Sequence, residues 1–87
     1  MKELGSYLSQ KRLEAGLSQR NVSDHLGYST PQFVSNWERG VSHPPIGQIK
    51  SLAKLYKIDA EEVFKILLKE TLKEVEADLR QRFEVVK

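Results

Sequence analysis

The chain contains no cysteine, so a disulfide framework, a thiolate metal site and a cysteine nucleophile are all closed to it, and a reducing cytoplasm fits. Its longest uninterrupted apolar run is Ile66-Leu67-Leu68, far short of the roughly 20 residues a bilayer span requires. The first turn carries Lys2 and Glu3 with no apolar stretch behind them, so a soluble, unexported protein is expected. Val, Ile and Thr nowhere alternate at the period of two that marks a strand, and the fold class is therefore expected to be all-α. His25 and His43 are the only histidines and have no cysteine beside them, so neither a metal nor another cofactor is expected. No nucleophile elbow or glycine-rich phosphate loop is present, and catalysis is not expected. At 87 residues the chain makes one small domain, because such a length buries only about 60–65% of its unfolded surface and cannot support two cores.

The net charge of +2 becomes informative when divided along the chain. Residues 1–58 carry eight Lys and Arg against four acids, whereas residues 59–87 carry six against eight. A basic unit joined to a solvated acidic helix is the pattern expected of a binder of acidic partners.

Glycine and proline punctuate the helical periodicity. Leu4, Leu8, Arg12 and Ala15 recur at helical spacing and Gly16 follows, which predicts a first helix over 2–15. Ser18 has the side-chain oxygen of an N-cap, Val22 and Leu26 share a face, and Gly27 ends a second helix over 19–26. Thr30 as cap and Pro31 at the first position open a third, over 31–39, closed by Gly40, with Val34 and Trp37 inward. Pro44-Pro45 interrupts the pattern with an extended linker. A fourth helix over 46–56 follows. Asp59 and Glu62, at capping-box spacing, open a fifth that runs from Ala60 to near the C-terminus.

Short helices with a three-residue turn, Gly27-Tyr28-Ser29, between the second and third make a helix-turn-helix arrangement. Its second helix rests on the phosphate backbone and holds the third so that side chains enter a major groove about 12 Å wide. The stretch Arg12-Leu13-Glu14-Ala15-Gly16-Leu17-Ser18-Gln19, then Leu26-Gly27, then Val34-Ser35-Asn36-Trp37-Glu38-Arg39-Gly40, with Pro45 and Ile58, resembles the phage repressor and Cro-like domains of bacterial transcription regulators. The resemblance covers about residues 4–66, which sets a DNA-binding domain at 1–66 and leaves 67–87 as an extension of the last helix.

The resemblance implies a sequence-specific regulator of double-stranded DNA, most simply a cytoplasmic, nucleoid-associated repressor encoded by a bacterium or phage. It implies that Gln19 bridges phosphate and recognition helix, that Ser18 is the preceding cap, and that Arg12 and Glu38 form an ion pair between the first and third helices. The residues agree on the last point, because Arg12 falls on the apolar Leu4/Leu8 stripe and needs a partner there. The chain departs from the family in a longer turn after Gly27, in Ser23 where alanine is usual, and in a loop after Gly40 that offers only Ser42 and His43 to the backbone. Phosphate contact is therefore expected from Ser18, Gln19, Arg20, Thr30, Lys11 and His43, with Lys50 or Lys54 as further candidates.

On the third helix Gln32, Ser35, Asn36 and Arg39 face away from Val34 and Trp37 and are the candidate base readers. Gln32 and Asn36 are four apart on one face, and an amide pairs bidentately with adenine; Arg39 has two readings, contact with guanine or with a phosphate. The alternative is that they form only the solvated side of an amphipathic helix. Phe33 has two readings, packing beside Trp37 or contact with a thymine methyl.

Phe64, Leu68, Leu72, Val75, Leu79 and Phe83 follow spacings of 4, 4, 3, 4 and 4. The stripe either folds back onto the domain's own core or, in the reading preferred here, pairs two chains through Leu68, Leu72, Val75, Leu79 and Phe83. A homodimer doubles the readout and suits a palindromic operator. The rows Lys65, Lys69, Lys73 and Glu70, Glu74, Asp78 would orient the partner. The competing function is an antitoxin-type or adaptor protein whose tail holds a different partner. No small-molecule ligand is inferred.

Overall fold

A computed structural model describes residues 1–86. Lys87, the last residue of the expected extension, lies outside the described residues. The fold is all-α: α1 (Lys2–Glu14), α2 (Gln19–Leu26), α3 (Gln32–Glu38), a 3₁₀ turn (Ile46–Gln48), α4 (Ile49–Tyr56) and α5 (Ala60–Val85). No helix among the described residues is long and apolar enough to cross a membrane.

Local chemistry explains most of the helix ends. Ser18 and Asn21 form a reciprocal capping box at α2, with Ser18 Oγ accepting the Asn21 N–H and Asn21 Oδ1 accepting the Ser18 N–H, each at 2.9 Å. Such a cap contributes about 1 kcal/mol. At the end of α3, Gly40 takes φ +77°. This lets the Gly40 N–H reach the Trp37 carbonyl and the Val41 N–H reach that of Asn36, satisfying two otherwise orphaned acceptors. The same pair of bonds closes α4 around Lys57, whose φ of 58° is costly for a residue with a Cβ.

Three expectations need correction. α3 starts at Gln32, because Pro31 adopts φ −77°, ψ 4° and belongs to the turn, so Gly27 to Pro31 is a five-residue connection rather than three. The segment expected as one helix over 46–56 begins as the 3₁₀ turn and becomes α-helical only at Ile49. Asp59 caps α5 through the Glu61 N–H at 2.9 Å and no capping box forms, since Glu62 accepts instead from the Tyr7 hydroxyl at 3.1 Å.

The core gathers Leu4 and Leu8 of α1, Val22 of α2, Val34 and Trp37 of α3, Leu52 and Tyr56 of α4, and Val63 and Leu67 of α5. Each fully buried aliphatic side chain contributes about 1.5–3 kcal/mol. Ser23 is also fully buried, and its hydroxyl donates to the Arg20 carbonyl at 3.1 Å, so the serine is satisfied within its own helix. α1 and α3 touch backbone to backbone at Gly5, where a Cβ would lie 2.5 Å from the Glu38 carbonyl oxygen.

α5 enters the core only through its first two turns. Its Val63 and Leu67 are buried, whereas the stripe Phe64, Leu68, Leu72, Val75, Leu79 and Phe83 stays exposed, so folding of the stripe onto the chain's own core does not occur. Glu70 of α5 accepts the Leu4 N–H and so caps α1, whose own cap position, Met1, has no side chain able to do it. The α-amino group adjoins the same region, 3.4 Å from the Gly40 carbonyl and 3.6 Å from Glu74. The molecule is 52 Å long as a result.

Candidate nucleic-acid interface

The pose of α3 is fixed from both ends. Arg12 on α1 grips Glu38 at the last turn of α3 with two bonds, Nε to Oε2 at 2.7 Å and Nη2 to Oε1 at 3.1 Å. Its Nη1 donates to the Leu17 carbonyl at 2.8 Å, ahead of α2. Hydrogen bonding to Glu38 raises the Arg12 pKa further, against the opposing effect of burial, so the guanidinium stays charged. Gln19, the first residue of α2, donates from Nε2 to Glu38 Oε1 at 3.0 Å. One carboxylate thus ties three helices together.

At the other end, Tyr28 in the turn is the wedge. Its ring lies against Phe33 with centroids 4.8 Å apart and meets Trp37 edge-on at 5.9 Å. Phe33 therefore packs on Tyr28 rather than directly beside Trp37, and remains 52% exposed. Sequence reading missed the part played by Tyr28; an aromatic residue inside a turn, five positions before Phe33, is the signal that was available.

The outward side of α3 carries a connected polar row. Gln32 Nε2 donates to Asn36 Oδ1 at 2.9 Å, and Arg39 Nη2 donates to the same oxygen at 2.7 Å. Gln32 and Arg39 are exposed; Asn36 and Ser35 are half-buried. Sharing one acceptor restricts the three side chains to one joint arrangement.

The candidate phosphate contacts divide into groups. Ser18 and Thr30 lie at the starts of α2 and α3, where Ser18 Oγ and Thr30 Oγ1 accept the Asn21 and Gln32 N–H groups at 2.9 and 3.3 Å. Each hydroxyl keeps its proton free to donate outward. Gln19 is half-buried behind them. Arg20 is exposed, 3.9 Å from Asp24. Lys11 lies over the Tyr7 ring and 3.4 Å from Glu14, whose pKa is lowered by a hydrogen bond from Gln10 and then by Lys11. His43 belongs to a different neighbourhood: its Nδ1 is 2.9 Å from the Pro44 carbonyl, and it lines a groove with Ile46, Phe64 and Leu68.

A comparison with curated proteins finds no match. Residues 8–63, more than half of the chain and the whole span from the Arg12 clamp through α3 to the start of α5, match the helix-turn-helix model of Cro/C1 type, so the chain belongs to this family of DNA-binding regulators.

Proposed function

We propose that the protein reads a specific, palindromic duplex operator as a homodimer, each copy placing α3 in the major groove, and that it represses by occluding a promoter. The observation that carries this reading is the Gln32–Asn36–Arg39 row, three side chains of base-reading chemistry prearranged on the exposed face of a clamped helix. Ser35 adjoins the row, and Ser18, Gln19, Arg20, Thr30 and Lys11 supply phosphate contacts around it. His43 is the weakest of the assigned contacts, because its ring is engaged beside α5. The dimer is supported by the exposed stripe along Leu68, Leu72, Val75, Leu79 and Phe83, apolar side chains aligned on one face of a helix with no partner among the described residues.

Selection of bound sequences from a random duplex library tests the reading. A single symmetric site is expected, and recovery of no preferred sequence rejects it. Asn36→Ala should weaken that site by about 1–3 kcal/mol and relax selectivity at particular base pairs. Arg20→Ala should instead weaken all duplexes alike and make the salt dependence shallower by about one phosphate.

A further inference from the structure

We propose that α5 pairs with α5 of a second copy in antiparallel orientation, seating the partner's Phe83 in the groove made by Ile46, Phe64 and Leu68. This rests on the homodimer reading above and adds its geometry.

The stripe itself points to this arrangement. Phe64, Leu68, Leu72, Val75, Leu79 and Phe83 are 40%, 45%, 59%, 50%, 57% and 80% exposed, so none has a full partner within the chain. Their spacings read the same in both directions about the point midway between Leu72 and Val75. A two-fold interface requires that if one residue faces a second, the second of the other copy faces the first. Two antiparallel copies centred there match Phe64 with the partner's Phe83, Leu68 with the partner's Leu79, and Leu72 with the partner's Val75. No residue of the stripe is left over. A parallel pair matches every residue with its own copy, and the symmetry of the spacing then has no role. The midpoint of α5 (Ala60–Val85) falls between Leu72 and Lys73, about one residue from the stripe's centre, so the two helices overlap along almost their whole length.

The head completes the surface. Ile46, 62% exposed, borders two adjoining grooves together with Phe64, one of about 350 Å³ and one of about 180 Å³. The second is also lined by Leu67 and Leu68 and lies beside the layer that receives the partner's Phe83. Charge agrees with the same direction. Lys69 and Glu76, seven residues apart, share one flank of the stripe, and antiparallel pairing brings each near the other's counterpart, giving two symmetric attractions. Within the chain, Lys69 reaches Glu3 at 3.3 Å and Glu76 is 3.9 Å from Arg80. Both are exposed pairs of the kind that contribute little and exchange readily. The same register sets Lys65 opposite the partner's Arg82, and the long stems of the two like charges carry them apart into water beside the phenyl layer. The two Phe64 positions come to lie nineteen residues apart along the pair, about 29 Å. The heads extend from opposite ends of the pair.

Because the chain has no cysteine, introduced thiols report the orientation directly. The variants Leu68→Cys and Leu79→Cys are made in the full-length chain, separately and together, and air-oxidised at a concentration where the parent sediments as a dimer. The double variant, and a mixture of the two single variants, should form disulfide-linked dimers, while neither single variant alone should. Ile46→Ser and Phe83→Ser should each raise the dimer Kd at least tenfold with the helical circular dichroism retained. Efficient self-linking of Leu68→Cys alone overturns the antiparallel geometry and leaves the homodimer standing. A parent that stays monomeric overturns both, while operator binding by the isolated copy, measured on the same sample, separately reports the DNA reading.

Discussion

Arg12→Ala removes the guanidinium that holds α1, α2 and α3 together. Three bonds are lost at once, two to Glu38 at 2.7 and 3.1 Å and one to the Leu17 carbonyl at 2.8 Å. The Glu38 side chain is only 7% exposed and retains the Gln19 amide as its remaining partner, so a carboxylate is left largely desolvated and under-bonded. Breaking a buried pair from one side costs about 3–5 kcal/mol, several times the value of a surface ion pair. For a domain of this size each kcal/mol lowers Tm by about 4–8 °C, so the expected drop is at least about 12 °C. Urea unfolding followed by the fluorescence of the buried Trp37 measures the free energy. The double variant R12A/E38Q should regain part of the loss, because a neutral amide costs less to strand than a carboxylate. A loss below about 1 kcal/mol in R12A would show that the clamp behaves as an exposed pair, and the account of how α3 is held would be wrong.

Gly5→Ala should destabilise by about 1–3 kcal/mol despite the better helix propensity of alanine, because its Cβ meets the Glu38 and Trp37 carbonyl oxygens at 2.5 and 2.8 Å. A more stable variant in urea refutes the close approach of α1 and α3. Lys57→Gly should stabilise by up to about 1 kcal/mol, since glycine accepts φ 58° without the side-chain clash that lysine bears; an unchanged urea midpoint counts against it. At high pH the phenols matter: burial foremost, then Glu38, raises the Tyr56 pKa, and burial followed by the Glu62 hydrogen bond raises that of Tyr7. In the unfolded chain these groups ionise near 10, so their stabilising contribution is complete below pH 10 and is lost as pH rises through the folded values. Urea midpoints should fall above pH 10, and less steeply in Tyr56→Phe; an identical pH dependence in that variant contradicts the assignment.

Much of the head was legible because its signals are local. Gly16, Gly27 and Gly40 each take a positive φ at a helix end, and Ser18 caps α2 within three residues of itself. Buried Leu4, Leu8, Val22, Val34 and Trp37 follow the helical spacing that marked them. The start of α3 was displaced by one residue because proline suits both the first position of a helix and a turn, and the packing of Tyr28 on Phe33 and Trp37 selected the turn.

By itself, then, the sequence determined the number and order of the helices, most of their ends, the family and the residues that share each face, since capping and periodicity act over three or four positions. Only the tertiary structure decided which face of α5 is buried. Val63 and Leu67 lie on one side of that helix and the palindromic stripe on another, and hydrophobic burial is non-directional, so spacing alone could not rank them. The head has room for one face over two turns. It placed Glu70 on the Leu4 N–H, 66 residues away in the chain, and left the stripe exposed.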